Sequence, residues 1–247
     1  ITPAGLNAAI AATEGSIVVR VDGHAELSPG YIRRAVLTMC DTGAVNVGGR
    51  QVPEPVTPFE EAVAAATTSR LGTGGAAYRV GGAAGPVDTV YLGVFDRAAG
   101  DDVGWFDETL IRNQDYELNI RLRAAGGTIW FDPDLWVGYR PRRTWEALAR
   151  QYYEYGWWKA EVLRRHPESL RLRQLLPPVA MAVLGASAVV ATRRPIATAV
   201  PLAYGAIVLL DHRRARSPGL AAVATMTLHA AWAAGLAAGL VTGRVTG

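Results

Sequence analysis

Three apolar runs lie close together near the C-terminus, at residues 175–191, 195–210 and 219–241, and they restrict the fold more than any other feature. The third is long enough for a bilayer, whose core takes about 20 helical residues. The first two are shorter and are interrupted by Pro177, Pro178 and Pro201. A buried helical subdomain is the ordinary alternative. Arginine-rich connectors favour three membrane spans instead. Arg164, Arg165, Arg171 and Arg173 precede the first run, and Arg213, Arg214 and Arg216 separate the last two. With three spans all of these share one side, and Arg193, Arg194 and Arg244 fall on the other. That asymmetry puts the N-terminal region in the cytoplasm. Residues 144–166 read as a long helix carrying Trp145, Tyr152, Tyr153, Tyr155, Trp157 and Trp158, a composition suited to the lipid headgroup layer.

The preceding region alternates between strand and helix patterns, which argues for an α/β sheet domain. A helix over 6–13 leads into a strand at 16–21. Ser28 and Pro29 suit the N-cap and first position of a helix over 28–40. Further strands are expected at 44–50, 87–95 and 128–131, a helix at 59–69, and a flexible glycine-rich loop at 71–75. The domains expected are residues 1–143, an interfacial helix at 144–173, and three spans within 174–247. An α/β domain that opens on a helix feeding its first strand lacks the strands before it. The chain is therefore expected to be incomplete at its N-terminus by two βα units, on the order of 60–80 residues. Lys159 is the only lysine, and no basic stripe interleaved with aromatics occurs in the first 140 residues, so no nucleic-acid partner is expected. The single cysteine, Cys40, excludes an internal disulfide.

Two stretches carry chemistry. Asp22-Gly23-His24 follows an apolar strand, and a carboxylate and an imidazole at a strand end can share one divalent metal. A common turn pair beside a structural histidine is the competing reading. Asp115 and Glu117 open a helix marked by Leu118 and Leu122 and ended by Gly126-Gly127. An acid held there can take a proton from a bound hydroxyl. Helix capping after Asn113 explains the same acids without chemistry. The two are about 200° apart around the helix, so only one faces the site. Asp115 shares the side of Leu118, and Glu117 is expected to pair with Arg121. Gly74 and Gly75 could cradle a phosphate, though no phosphate-loop lysine accompanies them. His229, in the third run, is expected to be neutral and hydrogen-bonded between helices.

Read in order, IVVRVDGHAELSPGYI, LGTGGAAYR, VDTVYLGVF, GWFDETLIRNQDYELNIRLRAAGGTIWFDP and YRPRRTWEALARQYYEYGWWKAEVLRRHP resemble a membrane-anchored family 2 glycosyltransferase. More narrowly, the chain resembles the succinoglycan-type β-glucosyltransferases of bacterial exopolysaccharide synthesis. The resemblance covers residues 5–170 and is most specific over 100–167. It implies a GT-A-like domain followed by transmembrane helices in a bacterial inner membrane, and inverting transfer from a nucleotide sugar, UDP-glucose foremost, to a lipid-linked saccharide. The family's Asp-x-Asp metal motif matches Asp22-Gly23-His24, which implies Mn²⁺ or Mg²⁺ held by Asp22 and His24. Its Glu-Asp pair matches Gln114-Asp115, which makes Asp115 the implied catalytic base and places Gln114 and Glu117 beside the substrate. Its Gln-x-x-Arg-Trp motif matches only at Gln151, which suits single-sugar addition better than processive synthesis. Two other readings stay open: a metal-dependent membrane phosphodiesterase, and a degenerate transferase or membrane scaffold.

Overall fold

The computed structural model describes residues 2–23 and 25–242. In chain order its elements are α1 (Thr2–Ala11), β1 (Ile17–Val19), β2 (Glu26–Leu27), α2 (Tyr31–Thr42), β3 (Asn46–Pro53), α3 (Pro58–Thr68), α4 (Arg70–Thr73), α5 (Ala77–Val80), β4 (Gly85–Pro86), β5 (Tyr91–Asp96), α6 (Arg97–Val103), α7 (Gln114–Ala124), β6 (Ile129–Tyr139), α8 (Trp145–Arg165), α9 (Leu172–Ala191), α10 (Ala199–Asp211) and α11 (Pro218–Thr242). They divide into two compact units. One holds the chain up to Glu54 together with Ala76–Arg140, and the other holds Pro55–Gly75 and everything from Pro141 onward.

The first unit is a sheet in the order β1-β5-β3-β6-β2, with β4 also paired to β6. β5 is antiparallel to both β1 and β3, and β3 is parallel to β6, so β1, β3 and β6 all point the same way. One apolar layer joins Tyr31, Ala35 and Met39 of α2 to Val47, Val94 and Val137. The other joins Leu118 and Leu122 of α7 to Ile129, Phe131 and Phe106. The helix expected from Ser28 starts later, at Tyr31, with Gly30 left-handed at its N-cap (φ 73°). Ser28 serves the sheet instead, its hydroxyl accepting from the Trp136 N–H at 3.3 Å.

The strand expected at 128–131 continues to Tyr139, straight past Pro133. Its register against β3 breaks between Gly48 and Arg50, so β6 bulges there. Gly49 permits this, because a Cβ on it would lie 2.0 Å from the Leu135 carbonyl oxygen. Arg34 clamps the bulge, reaching Asp132 at 2.8 Å and Asp134 at 2.6 Å. Burial alone would raise the Asp132 carboxyl pKa. The Arg34 guanidinium, the Asp134 N–H and the Thr38 hydroxyl outweigh it and hold the carboxyl below its ordinary range.

The second unit is helical and changes the expected domain boundary. Residues 55–75, assigned to a 1–143 domain, pack with the C-terminal helices. Thr57 and Glu60 cap α3 reciprocally, and Val63 and Ala66 then join Leu148, Tyr152, Ala224 and Leu228 in one core. The glycine-rich stretch is accordingly ordered rather than a flexible loop. Ser69 caps α4, and the Leu71 carbonyl accepts from His229 Nε2 at 2.9 Å. The other ring nitrogen, Nδ1, is paired with the Tyr204 hydroxyl at 2.8 Å. His229 is thus hydrogen-bonded between helices, as expected.

α8 and α11 meet backbone to backbone. A Cβ on Gly156 would lie 2.2 Å from the Trp232 carbonyl oxygen, and one on Gly235 would lie 2.0 Å from that of Tyr153. Gly235 and Gly239 stand four residues apart, the small-xxx-small spacing that lets helices approach closely in lipid. α8 is therefore built into the helical unit through this seam, more than an interfacial helix needs.

Two helices, Leu172–Ala191 and Pro218–Thr242, are long and apolar enough to cross a membrane. The middle run is shorter than the expected span. It forms a 3-10 turn and the 13-residue α10, about 20 Å of helix against a core of about 30 Å. Only 6% of the apolar window of α9 is buried, against 50% for α11, so α9 needs an apolar surrounding that the protein does not supply. Alkaline carbonate washing is expected to leave the chain in the membrane pellet. Recovery in the supernatant would rule out membrane insertion.

Candidate active site

β1, β3 and β6 run the same way, and β1 ends at Val19, level with Val94 of β5 and Val47 of β3. Asp22 follows β1 by three residues. α7 packs Leu118 and Leu122 on Ile129 and Phe131, and only four residues join its C-terminus to the start of β6. It therefore runs back along β6, with Gln114 and Asp115 at the end farther from the start of that strand. Asn113 occupies the N-cap position in a left-handed conformation (φ 60°) and makes no side-chain cap bond. Gln114 is buried and Asp115 is half-buried.

Asp22 is paired with Arg20, whose Nε and Nη2 both reach its Oδ1 at 3.2 Å. The Arg20 guanidinium lies 5.8 Å from the Phe106 ring centroid, within cation–π range. Phe106 sits in the Gly104–Glu108 segment. Asn7 holds it on both sides, accepting from the Phe106 N–H at 3.0 Å and donating to its carbonyl at 2.8 Å. Glu117 is buried and paired with Arg121 at 2.7 Å, as the four-residue spacing implied. Its carboxylate is committed to the protein, so the part expected for it beside the substrate becomes one of support. Arg121 spends its remaining donors on the carbonyls of Val103, Gly104 and Trp105.

His24 lies outside the described residues. Among those described, no three metal-ligating side chains converge. A cation shared with a diphosphate does not need three, because it takes one or two carboxylates and completes its shell with phosphate oxygens and water. Asp22 fits that role. It is 29% exposed, and both of its Arg20 contacts fall on one oxygen.

The remaining candidates belong to the helical unit. Gly74 ends α4 in the left-handed region (φ 70°), with the Arg173 side chain across it, and Gly75 is left-handed as well (φ 76°). Gln151 is held on α8 between Arg142 Nε at 3.1 Å and the Tyr155 hydroxyl at 3.0 Å.

No protein-family model matches the chain. It is 33% identical over 245 residues to the succinoglycan biosynthesis protein ExoA of Rhizobium meliloti (strain 1021), a match covering 95% of this chain and 73% of that protein. The chain belongs to the family 2 glycosyltransferases. Within them it falls in the succinoglycan-biosynthesis subgroup, and its sheet unit is GT-A-like.

The contacts around the candidate acids are not legible in the sequence. Asn7 and Phe106 carried no signal, since they are bonded to each other across 99 residues of sequence, and the Arg20 contact with the Phe106 ring is equally non-local. The buried chain from Asn46 to Asn119 (2.7 Å) and on to Thr89 (2.9 Å) was equally hidden. It ties α7 to the start of β3.

Proposed function

We propose that this glycosyltransferase moves a sugar, with inversion, from a nucleotide diphosphate sugar to a lipid-linked saccharide during exopolysaccharide synthesis. The observation that supports the reading is the set of contacts joining the loop of Asp22 to the helix of Asp115 within the sheet unit: Asp22 to Arg20, Arg20 to Phe106, and Arg121 of α7 to the Trp105 carbonyl. Asp115 accepts the proton of the acceptor hydroxyl as its oxygen bonds to the anomeric carbon. The bond from that carbon to the diphosphate breaks on the opposite face, and the nucleoside diphosphate leaves. Asp22 and His24 would hold Mn²⁺ or Mg²⁺, which offsets charge on the leaving diphosphate. Within the sheet unit Gln114 is assigned to substrate binding; the helical unit's own candidates for it are Gly74, Gly75 and Gln151.

UDP-glucose is the proposed donor, on likeness to the succinoglycan protein. The sheet unit is proposed to face the cytoplasm of a bacterial inner membrane. Four arginines, at 164, 165, 171 and 173, lie before or at the start of α9, against Arg193 and Arg194 after it.

UDP release from UDP-glucose, measured in membranes with and without saccharide acceptor, tests the reading. Release should rise with acceptor, vanish with EDTA and return with Mn²⁺ or Mg²⁺. His24→Asp should retain more activity than His24→Ala, because a carboxylate still ligates. Release that EDTA leaves untouched would remove Asp22 and His24 from the mechanism. A lack of acceptor stimulation would remove the transferase.

A further inference from the structure

Arg121 contacts no proposed substrate position, yet its guanidinium is more fully engaged than any other in the sheet unit's candidate site. It takes both Glu117 oxygens, at 2.7 and 2.8 Å, and three successive backbone carbonyls, Val103 at 2.7 Å, Gly104, and Trp105 at 2.6 Å. Those carbonyls end α6 and begin the Gly104–Glu108 segment. The next residue, Phe106, is the one under Arg20, and Arg20 in turn holds Asp22. A continuous set of contacts thus runs from α7, which carries Asp115, to the loop that carries Asp22.

We propose that Glu117 and Arg121 are positioning residues for sugar transfer: by fixing Val103–Phe106 they set where Asp22, through Arg20, stands relative to Asp115. The proposal rests on the roles given above to Asp22 and Asp115. Capping of α6 is the simpler use of Arg121, since a cation at a helix C-terminus is favourable anyway. Capping does not require a buried carboxylate beneath the guanidinium. Glu117 provides one, and it holds the planar fork in a single orientation. Lysine in place of arginine keeps the charge but offers three donors instead of five and no planar fork, so it cannot hold both Glu117 oxygens and all three carbonyls.

The test compares transfer with wasteful hydrolysis on one membrane preparation of the full chain. Radiolabelled UDP-glucose is supplied with acceptor, and label in saccharide product is counted against free glucose. Misplacement by about 1 Å can cost on the order of 10²-fold in a reaction that needs two aligned groups. Attack by water does not require the acceptor hydroxyl to be aligned with Asp115. Arg121→Lys is therefore expected to lower the ratio of transfer to hydrolysis by about 10²-fold. Phe106→Leu, which leaves the arginine in place, should lower it in the same direction. The ratio is independent of how much protein folds. An unchanged ratio in both variants, with transfer and hydrolysis falling together, would reduce the pair to a structural cap. Asp115→Asn is run alongside. If it transfers as wild type does, the proposed base is wrong and the positioning role falls with it. If it fails to transfer while Arg121→Lys keeps its ratio, only the positioning role falls.

Discussion

Asp115→Asn is expected to lose about 10²–10⁴ in transfer rate, the usual contribution of a general base. The substitution keeps size and shape and removes the proton acceptor. Asp115 is the second residue of α7, and its Oδ1 accepts only locally, from the Tyr116 N–H at 2.8 Å. An amide oxygen can take the same bond, so the helix start should survive. Donor binding, assigned to the Asp22 loop, should be nearly unchanged in a titration. Glu117→Gln should lose far less turnover, because Glu117 does not take the proton: the amide forfeits one of the two contacts with Arg121 and weakens the other, while its oxygen still accepts from the guanidinium. The reverse result, with Glu117→Gln inactive and Asp115→Asn working, would mean that the base has been misassigned on this helix.

Gly235→Ala is expected to destabilise the helical unit by about 3 kcal/mol or more, against its own local preference. Alanine favours a helix over glycine by about 1 kcal/mol, so an exposed helical glycine should gain from the change. Gly235 cannot gain, because the new Cβ would lie 2.0 Å from the Tyr153 carbonyl oxygen. The obstacle is backbone, and neither helix can yield without parting the α8–α11 seam. Gly185 on α9 provides the control, since a Cβ there meets nothing within 4 Å. Thermal unfolding in detergent, followed by the folded fraction on size exclusion, should show opposite signs for Gly235→Ala and Gly185→Ala. A neutral Gly235→Ala would mean that the two helices do not pack at this distance.

Reading from sequence worked where the cause is local. Glu117 and Arg121 are four residues apart on one helix turn, and their pairing follows from helical geometry alone. Residues 144–166 begin with a Thr144 cap whose hydroxyl accepts from the Ala147 N–H, and the expected helix is present nearly to the residue. The three apolar runs all became helices. What failed was length and partnership. The middle run lacked the residues for a span. Ser28, a good cap by type, was drawn into the sheet by a Trp136 N–H that lies 108 positions away.

The chain's own order of residues therefore determined its longer helices and most of its longer strands, and the sugar-transfer family they resemble. These depend on spacing along one segment, which a sequence displays directly. The tertiary structure alone decided that residues 55–75 belong with the C-terminal helices, that α8 and α11 touch through glycines, and that Arg20, Phe106 and Arg121 connect the two acids. Each of these depends on which faces meet across long stretches of chain, and burial of apolar surface, which chooses those faces, has no direction and leaves no mark in local spacing.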